Sequence, residues 1–175
     1  DTSTQRIRSL DIGGLGDVLG WLFDRKGEPR LATTLSGGTM QYHWRTPGET
    51  TWKKIAEFPR LDAPFTPRFV DTDGQLFVST PSGAAGESEL RRFDFATGKP
   101  QAQALVRTPG FDFDGRLLTD PESGRAVGLR LRTDAETTVW FDPKMKSLQG
   151  TVDARFPGRV NRVSCRRCGA DDGVV

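Results

Sequence analysis

The sequence predicts an all-β protein built from repeated antiparallel units, and three observations carry this prediction. Short turns that begin with aspartate end in Gly27, Gly74, Gly124 and Gly173, whose spacings are 47, 50 and 49 residues. Aromatic strand positions 44, 93 and 141 recur in phase with these turns, at steps of 49 and 48 residues. Glycine and proline together make up 31 of 175 residues, which is typical of many tight turns. Because two unrelated landmarks share one period, the folding unit is a repeat of about 48 residues.

Each repeat contains four short segments that alternate apolar and polar residues, and glycine- or proline-containing turns separate them. This pattern is typical of antiparallel strands, and helix signals are scarce. The predicted strands are residues 18–23, 30–35, 40–45 and 52–58 in the first repeat, 68–70, 75–80, 89–94 and 101–106 in the second, and 117–119, 126–132, 137–142 and 148–152 in the third.

Four-stranded repeats of 40 to 50 residues are the sequence signature of the blades of a β-propeller. We therefore predict a partial propeller over residues 1–175, with about three four-stranded blades and remnants of two flanking ones. The predicted divisions are an outer strand and linker at 1–16, blades at 17–61, 62–108 and 109–158, and the start of another blade at 159–175. A β-sandwich is the alternative.

Propellers close with four to eight blades, so an open array would expose two apolar blade faces. The sequence therefore predicts a segment of a longer chain, or a protein that covers its open blade faces by self-association.

Charge and hydropathy exclude two classes of partner. With 25 Lys and Arg against 23 Asp and Glu, the net charge is +2, too small for the basic field of a nucleic-acid-binding protein. No apolar run approaches the roughly 18 residues that cross a bilayer, and no signal peptide is recognisable at the start. We expect a soluble chain without a membrane partner, and its compartment, cytoplasm or periplasm, stays open.

His43 is the only histidine, so a Ser-His-Asp or Cys-His site within this chain would have to use it. It shares the polar face of an alternating strand with Gln41 and Arg45, which favours a solvated or inter-blade role over that of a catalytic base. Residues 86–90 (GESEL) fail the G-x-S-x-G pattern at their last position. No catalytic, cofactor-binding or metal-binding residue is therefore predicted, and no cofactor.

Two aspartate groups could be misread as cation sites. Asp112 and Asp114 alternate with phenylalanines, so they share one face of a strand. They could form a weak cation site or an acid–base pair, or they could be a solvent-side pair that leads into a turn. The second interpretation is favoured. Residues 71–74 (DTDG) resemble the opening of a calcium loop but lack its later glutamate, so they are interpreted as a turn.

Cys165 and Cys168 form a single C-x-x-C motif beside arginines. Structural thiols, a local disulfide and a metal shared with sequence outside this chain all remain open, with thiols favoured. Trp21, Trp44 and Trp140 occupy strand positions related by the repeat. Packing between blades explains them better than a carbohydrate or peptide surface.

Residues 18–32 (VLGWLFDRKGEPRLA), 42–45 (YHWR), 51–55 (TWKKI) and 90–98 (LRRFDFATG) carry a family resemblance. The chain resembles, from about residue 17 to 162, the N-terminal β-propeller of bacterial prolyl-oligopeptidase-type serine peptidases, which include acylaminoacyl peptidases and dipeptidyl aminopeptidases. None of that family's catalytic motifs is matched here.

The resemblance implies that a C-terminal α/β-hydrolase domain of the parent chain performs the chemistry. The propeller segment would then be a non-catalytic wall that covers the active site and restricts the entry of the peptide substrate. The alternative is a propeller scaffold that binds a protein or ligand and has no attached enzyme.

Overall fold

In the computed structural model of the chain, which describes Thr4 and residues 17–82 and 86–165, the described strands form three separate antiparallel sheets. The first sheet consists of β1 (Asp17–Phe23), β2 (Pro29–Ser36), β3 (Thr39–Trp44) and β4 (Lys53–Pro59). The second consists of β5 (Thr66–Val70), β6 (Leu76–Ser82), β7 (Glu87–Asp94) and β8 (Lys99–Pro100). The third consists of β9 (Gly115–Thr119), β10 (Ala126–Arg132) and β11 (Glu136–Trp140), and is followed by the helix α1 (Pro143–Arg155).

In each sheet, neighbouring strands follow one another along the chain, so each sheet is a meander. The protein is thus mostly β, as the sequence predicts, with strands grouped into units of four, four and three. The predicted strand 126–132 coincides with β10, and the predicted strand 18–23 is one residue shorter than β1.

The first turn of every sheet is built in the same way. Asp24, Asp71 and Asp120 are buried, and the Oδ1 atom of each accepts hydrogen bonds of 2.8 to 3.0 Å from backbone N–H groups of its own turn. The glycine that closes each turn has a φ between 73° and 84°, a conformation that side chains with a Cβ rarely adopt. The recurring Asp–Gly spacing therefore reflects one local hydrogen-bond pattern used three times. The fourth predicted turn lies outside the described residues.

Two predicted outer strands are wrong. In the third unit, residues 148–152 belong to α1 instead of a strand. Asp142 caps this helix, since its Oδ1 accepts a hydrogen bond of 2.9 Å from the N–H of Met145, and Pro143 occupies the first turn. In the second unit, the predicted strand 101–106 contains only a single bridge, between Leu90 and Val106, and the two-residue β8 lies just before this span.

Adjacent sheets pack against each other in chain order, and β6 shows how. Leu76 and Val78 pack in a cluster with the first sheet's Trp44 and Leu31, whereas Phe77, between them in sequence, packs against Leu129 of the third sheet. Because side chains alternate across a strand, the second sheet is buried on both faces. A third cluster covers the far side of the third sheet, and it comprises Trp140, Met145 and Val163.

Aromatic rings hold the first two sheets together. Tyr42 of β3 contacts Phe58 and Phe65 with ring centroids 5.0 and 5.4 Å apart, and Phe65 contacts Phe93 of β7 at 5.3 Å. The Tyr42 hydroxyl donates a hydrogen bond of 3.2 Å to the carbonyl of Phe65, and burial raises the pKa of this phenol to about 12. The phenol therefore stays protonated and bonded at any physiological pH.

Candidate functional site

His43 lies in the middle of β3 and is a packed residue. It is only 2% exposed, and its Nε2 atom lies 3.1 Å from the Thr34 hydroxyl of β2 and 3.2 Å from Gln41 Oε1. Burial lowers the pKa of the imidazole, Lys54 lowers it further, and Glu57 opposes both. The structure places His43 in β3 of the first sheet, and because the ring is buried, the solvated role that the sequence offered is wrong.

We expect His43 to make the fold sensitive to mild acid. Since its pKa is lowered in the folded state, the neutral ring is favoured there, and its stabilising contribution is lost as the pH falls through its ordinary value of about 6.5. Urea unfolding at pH 7.5 and pH 5.0 should therefore show that the free energy of unfolding falls more in the wild type than in His43→Gln when the pH is lowered. An equal loss in both proteins would contradict this expectation.

Asp112 and Asp114 have separate surroundings. Asp112 Oδ1 accepts hydrogen bonds from the backbone N–H and hydroxyl of Ser88, at 3.1 and 3.2 Å, and so ties the loop before the third sheet to β7. Asp114 instead lines a pocket that also contains arginines. In the part of the chain that the structure describes, no group of three or more His, Cys, Asp or Glu side chains is arranged to hold a metal.

Cys165 is disulfide-bonded, so the favoured interpretation of free structural thiols is wrong for this residue. Cys168 lies outside the described residues.

Two of the three strand tryptophans are buried and one is not. Trp44 and Trp140 are 4% and 7% exposed and belong to separate cores, which confirms their interpretation as packing residues. Trp21 of β1 is only half-buried and packs edge-on against Trp52, with ring centroids 5.6 Å apart. The guanidinium of Arg45 lies 5.3 Å from the Trp52 ring centroid, a cation–π arrangement. Trp21 therefore belongs to an aromatic and cationic surface of the first sheet.

A groove of about 360 Å³ lies where the turns of the second and third sheets meet, and we call it the turn-end groove. Its charged residues are Asp71, Asp73, Arg92 and Arg125, and its aromatic residues are Phe77, Phe95 and Phe141.

The two turns that form the groove are held together by polar contacts. Arg125 Nε lies 2.9 Å from Asp73 Oδ2, and the Thr72 hydroxyl donates a hydrogen bond of 3.0 Å to the carbonyl of Gly124. Burial raises the pKa of Asp71 at the base of the groove, and the backbone N–H of Gln75 and the charge of Arg125 limit that rise. Charged groups beside aromatic rings make both ionic and apolar contacts available at this surface.

A second set of polar residues is absent from the predictions made from sequence. Arg130 and Arg132 of β10 line a pocket on the third sheet together with Arg116 and Arg162. The run Leu-Arg-Leu-Arg at 129–132 predicts part of this set, because strict alternation places both arginines on one face of a strand. Arg162 follows α1, and only the tertiary structure brings it to this face.

Comparisons with family models, with curated proteins and with solved structures give no match. Among the described residues, no helix has the length and apolar character needed to cross a membrane.

Proposed function

We propose that this chain is a non-catalytic β-propeller segment of a prolyl-oligopeptidase-type serine peptidase, and that it covers the active site and restricts peptide access. The observation that carries the proposal is the succession of meander sheets, each opened by the same buried aspartate turn and each packed on the next. Such a succession is what a set of propeller blades requires, since each blade buries its faces against its neighbours. The family motifs at 18–32 and 90–98 supply the peptidase part of the proposal.

A stack of sheets suits the task of a wall. The second sheet is buried on both faces, so its position is set by two separate cores. A wall of this kind excludes water and large substrates from a reaction chamber while it leaves the chemistry to another domain. In this proposal the turn-end groove is the surface that contacts the peptide substrate, and the catalytic partner is the C-terminal α/β-hydrolase domain of the parent chain.

The coding sequence downstream of Val175 tests the peptidase assignment directly. We expect further repeats of about 48 residues, followed by a G-x-S-x-G motif in a strand–turn–helix context. A reading frame that continues into more repeats and then ends, or enters an unrelated domain, would overturn the peptidase assignment. That result would leave the scaffold function described below.

We further predict that the purified 175-residue chain does not react with a fluorophosphonate probe and does not hydrolyse aminoacyl or acyl-peptide substrates. The reason is that the proposal places the serine nucleophile, its base and its oxyanion hole in the partner domain. Labelling is measured by in-gel fluorescence, with a known serine hydrolase as the positive control and heat-denatured chain as the background. Labelling of the native chain above that background would contradict the proposal.

The turn-end groove also favours a second candidate function, a scaffold that binds a protein or ligand without an attached enzyme. Charged and aromatic residues converge there in a concave surface, as in many binding sites. Self-association is proposed through β1 of the first sheet, where Val18, Leu19 and Phe23 are 37%, 52% and 47% exposed. Light scattering of the purified chain measures it, and a concentration-independent monomer would exclude it.

A further inference from the structure

One face of the third sheet packs on the second sheet, and the opposite face carries both the third apolar cluster and several arginines. Leu129 and Leu131 of β10 enter the core shared with the second sheet, so Arg130 and Arg132 lie on the opposite face. The strand register sets Arg116 of β9 beside Arg130, and Glu136 of β11 beside Arg132. These side chains, with Asp114 and Arg162, line a cavity of about 490 Å³ that we call the arginine pocket.

Arg130 is the fixed member of the pocket. It is only 7% exposed, and its Nη2 donates a hydrogen bond of 2.8 Å to the carbonyl of Val163, while Nε reaches the Thr138 hydroxyl at 3.4 Å. These bonds hold the guanidinium plane in place and do not use Nη1. An arginine held in this way presents donors without the entropy cost of ordering a free side chain.

The positive charge of the pocket exceeds the negative charge of its carboxylates. Glu136 is engaged mainly by Arg162, whose Nε and Nη2 each donate to it at 2.8 Å, while Arg130 Nε lies 3.7 Å from Glu136 Oε1. Within the described residues, neither Arg116 nor Arg132 forms an ion pair.

Four guanidinium groups thus face two carboxylates, an excess of two positive charges. The pKa of Arg130 is lowered, and burial is the largest cause. The charge of Glu136 opposes this shift, and the charges of Arg162 and Arg116 add to it.

We propose that the arginine pocket binds a doubly charged oxyanion, either a phosphate group or a dicarboxylate. Guanidinium groups donate paired hydrogen bonds that match the oxygen spacing of phosphates and carboxylates, and a dianion neutralises the excess charge of the pocket. The pocket lies on the third sheet, away from the turn-end groove, and the inference holds whether or not the chain covers a peptidase.

Calorimetric titration of the full 175-residue chain tests the proposal. Inorganic phosphate and succinate are the two probes, at constant ionic strength set with sodium chloride, so that general screening is equal in every run. We expect saturable one-site binding of at least one probe, and the tighter one identifies the chemistry of the natural ligand. If neither probe binds above the chloride background, the proposal is overturned.

Variants locate the binding. Arg130→Gln removes the buried donor, and Arg116→Gln with Arg132→Gln removes the donors of two exposed side chains. Each change is expected to weaken binding by about tenfold or more, since hydrogen bonds to charged groups are strong. Arg60→Gln, an exposed arginine at the end of β4, is the matched control and should bind as the wild type does.

The exposed pair keeps the test decisive if Arg130→Gln fails to fold. Wild-type affinity in Arg116→Gln/Arg132→Gln, or an equal loss in Arg60→Gln, would show that the anions bind the surface at large and would overturn the assignment to this pocket.

Discussion

Replacing Asp24 by alanine is expected to lower the free energy of unfolding by about 3–5 kcal/mol, the cost of breaking a buried ion pair from one side. Asp24 Oδ2 lies 2.7 Å from Arg30 Nε, and the two side chains are 0% and 8% exposed. The same carboxylate caps the first turn through the N–H groups of Lys26 and Glu28. Alanine therefore leaves the buried guanidinium of Arg30 without its carboxylate partner, and it leaves two backbone donors of the turn without their acceptor.

Urea unfolding followed by tryptophan fluorescence measures this loss. Asp94→Ala is the matched control, because Asp94 also caps a turn, with a bond of 2.8 Å from the N–H of Ala96, but it is partly exposed and pairs with no arginine among the described residues. A clearly smaller loss is expected there. Asp24→Asn should lie between the two, since it keeps an acceptor and removes the charge. Equal losses in Asp24→Ala and Asp94→Ala would mean that turn capping alone sets the effect.

Replacing Leu129 by alanine is expected to cost about 2–5 kcal/mol, the range observed when a buried leucine is truncated. Leu129 is 0% exposed and lies in the core between the second and third sheets, where it packs in one cluster with Phe77 and Leu90. The lost methyl groups leave a cavity on the face of β10 that joins the two sheets. Because this core is the attachment of the third sheet to the second, the change should also loosen that attachment.

Leu61→Ala is the control for this prediction, because Leu61 is 96% exposed and its truncation removes the same atoms from solvent instead of from a core. A change within about 0.5 kcal/mol is expected there. Hydrogen exchange adds a local measurement: in Leu129→Ala the amides of β9 to β11 should lose more protection than those of β1 to β4. Uniform loss over all sheets would indicate instead that the stack unfolds as one unit.

The turns and the central strands could be predicted from the sequence because their causes are local. Asp24, Asp71 and Asp120 bond to the backbone within a few residues, and the following glycines supply a positive φ, so the signal lies within one short segment. Alternation in 126–132 likewise reports which side chains share a face.

In two of the outer elements, local chemistry overrides the position in the repeat. Position in the repeat predicts a strand at 148–152, yet Asp142 and Pro143 form a helix start. The segment 101–106 contains few β-branched residues, and it pairs only briefly with β7.

Residues of the candidate sites were predicted only in part for a related reason. The sequence predicts the turn that contains Asp71 and Asp73, but the ion pair of Asp73 with Arg125 of the next unit depends on how two sheets pack. Arg162 forms an ion pair with Glu136, which lies 26 residues earlier in the chain, and the sequence around neither residue predicts this pair.

By itself the sequence determined the β class and the aspartate turns, because hydrogen bonds and alternation within a few residues fix both, and the recurrence of these turns gives the period of about 48 residues. Only the tertiary structure decided that His43 is buried, that the third unit ends in a helix packed on Trp140, and that four arginines share one pocket. The reason is physical: burial, and the electrostatic interactions between distant residues, depend on which faces meet, and no short stretch of chain encodes that choice.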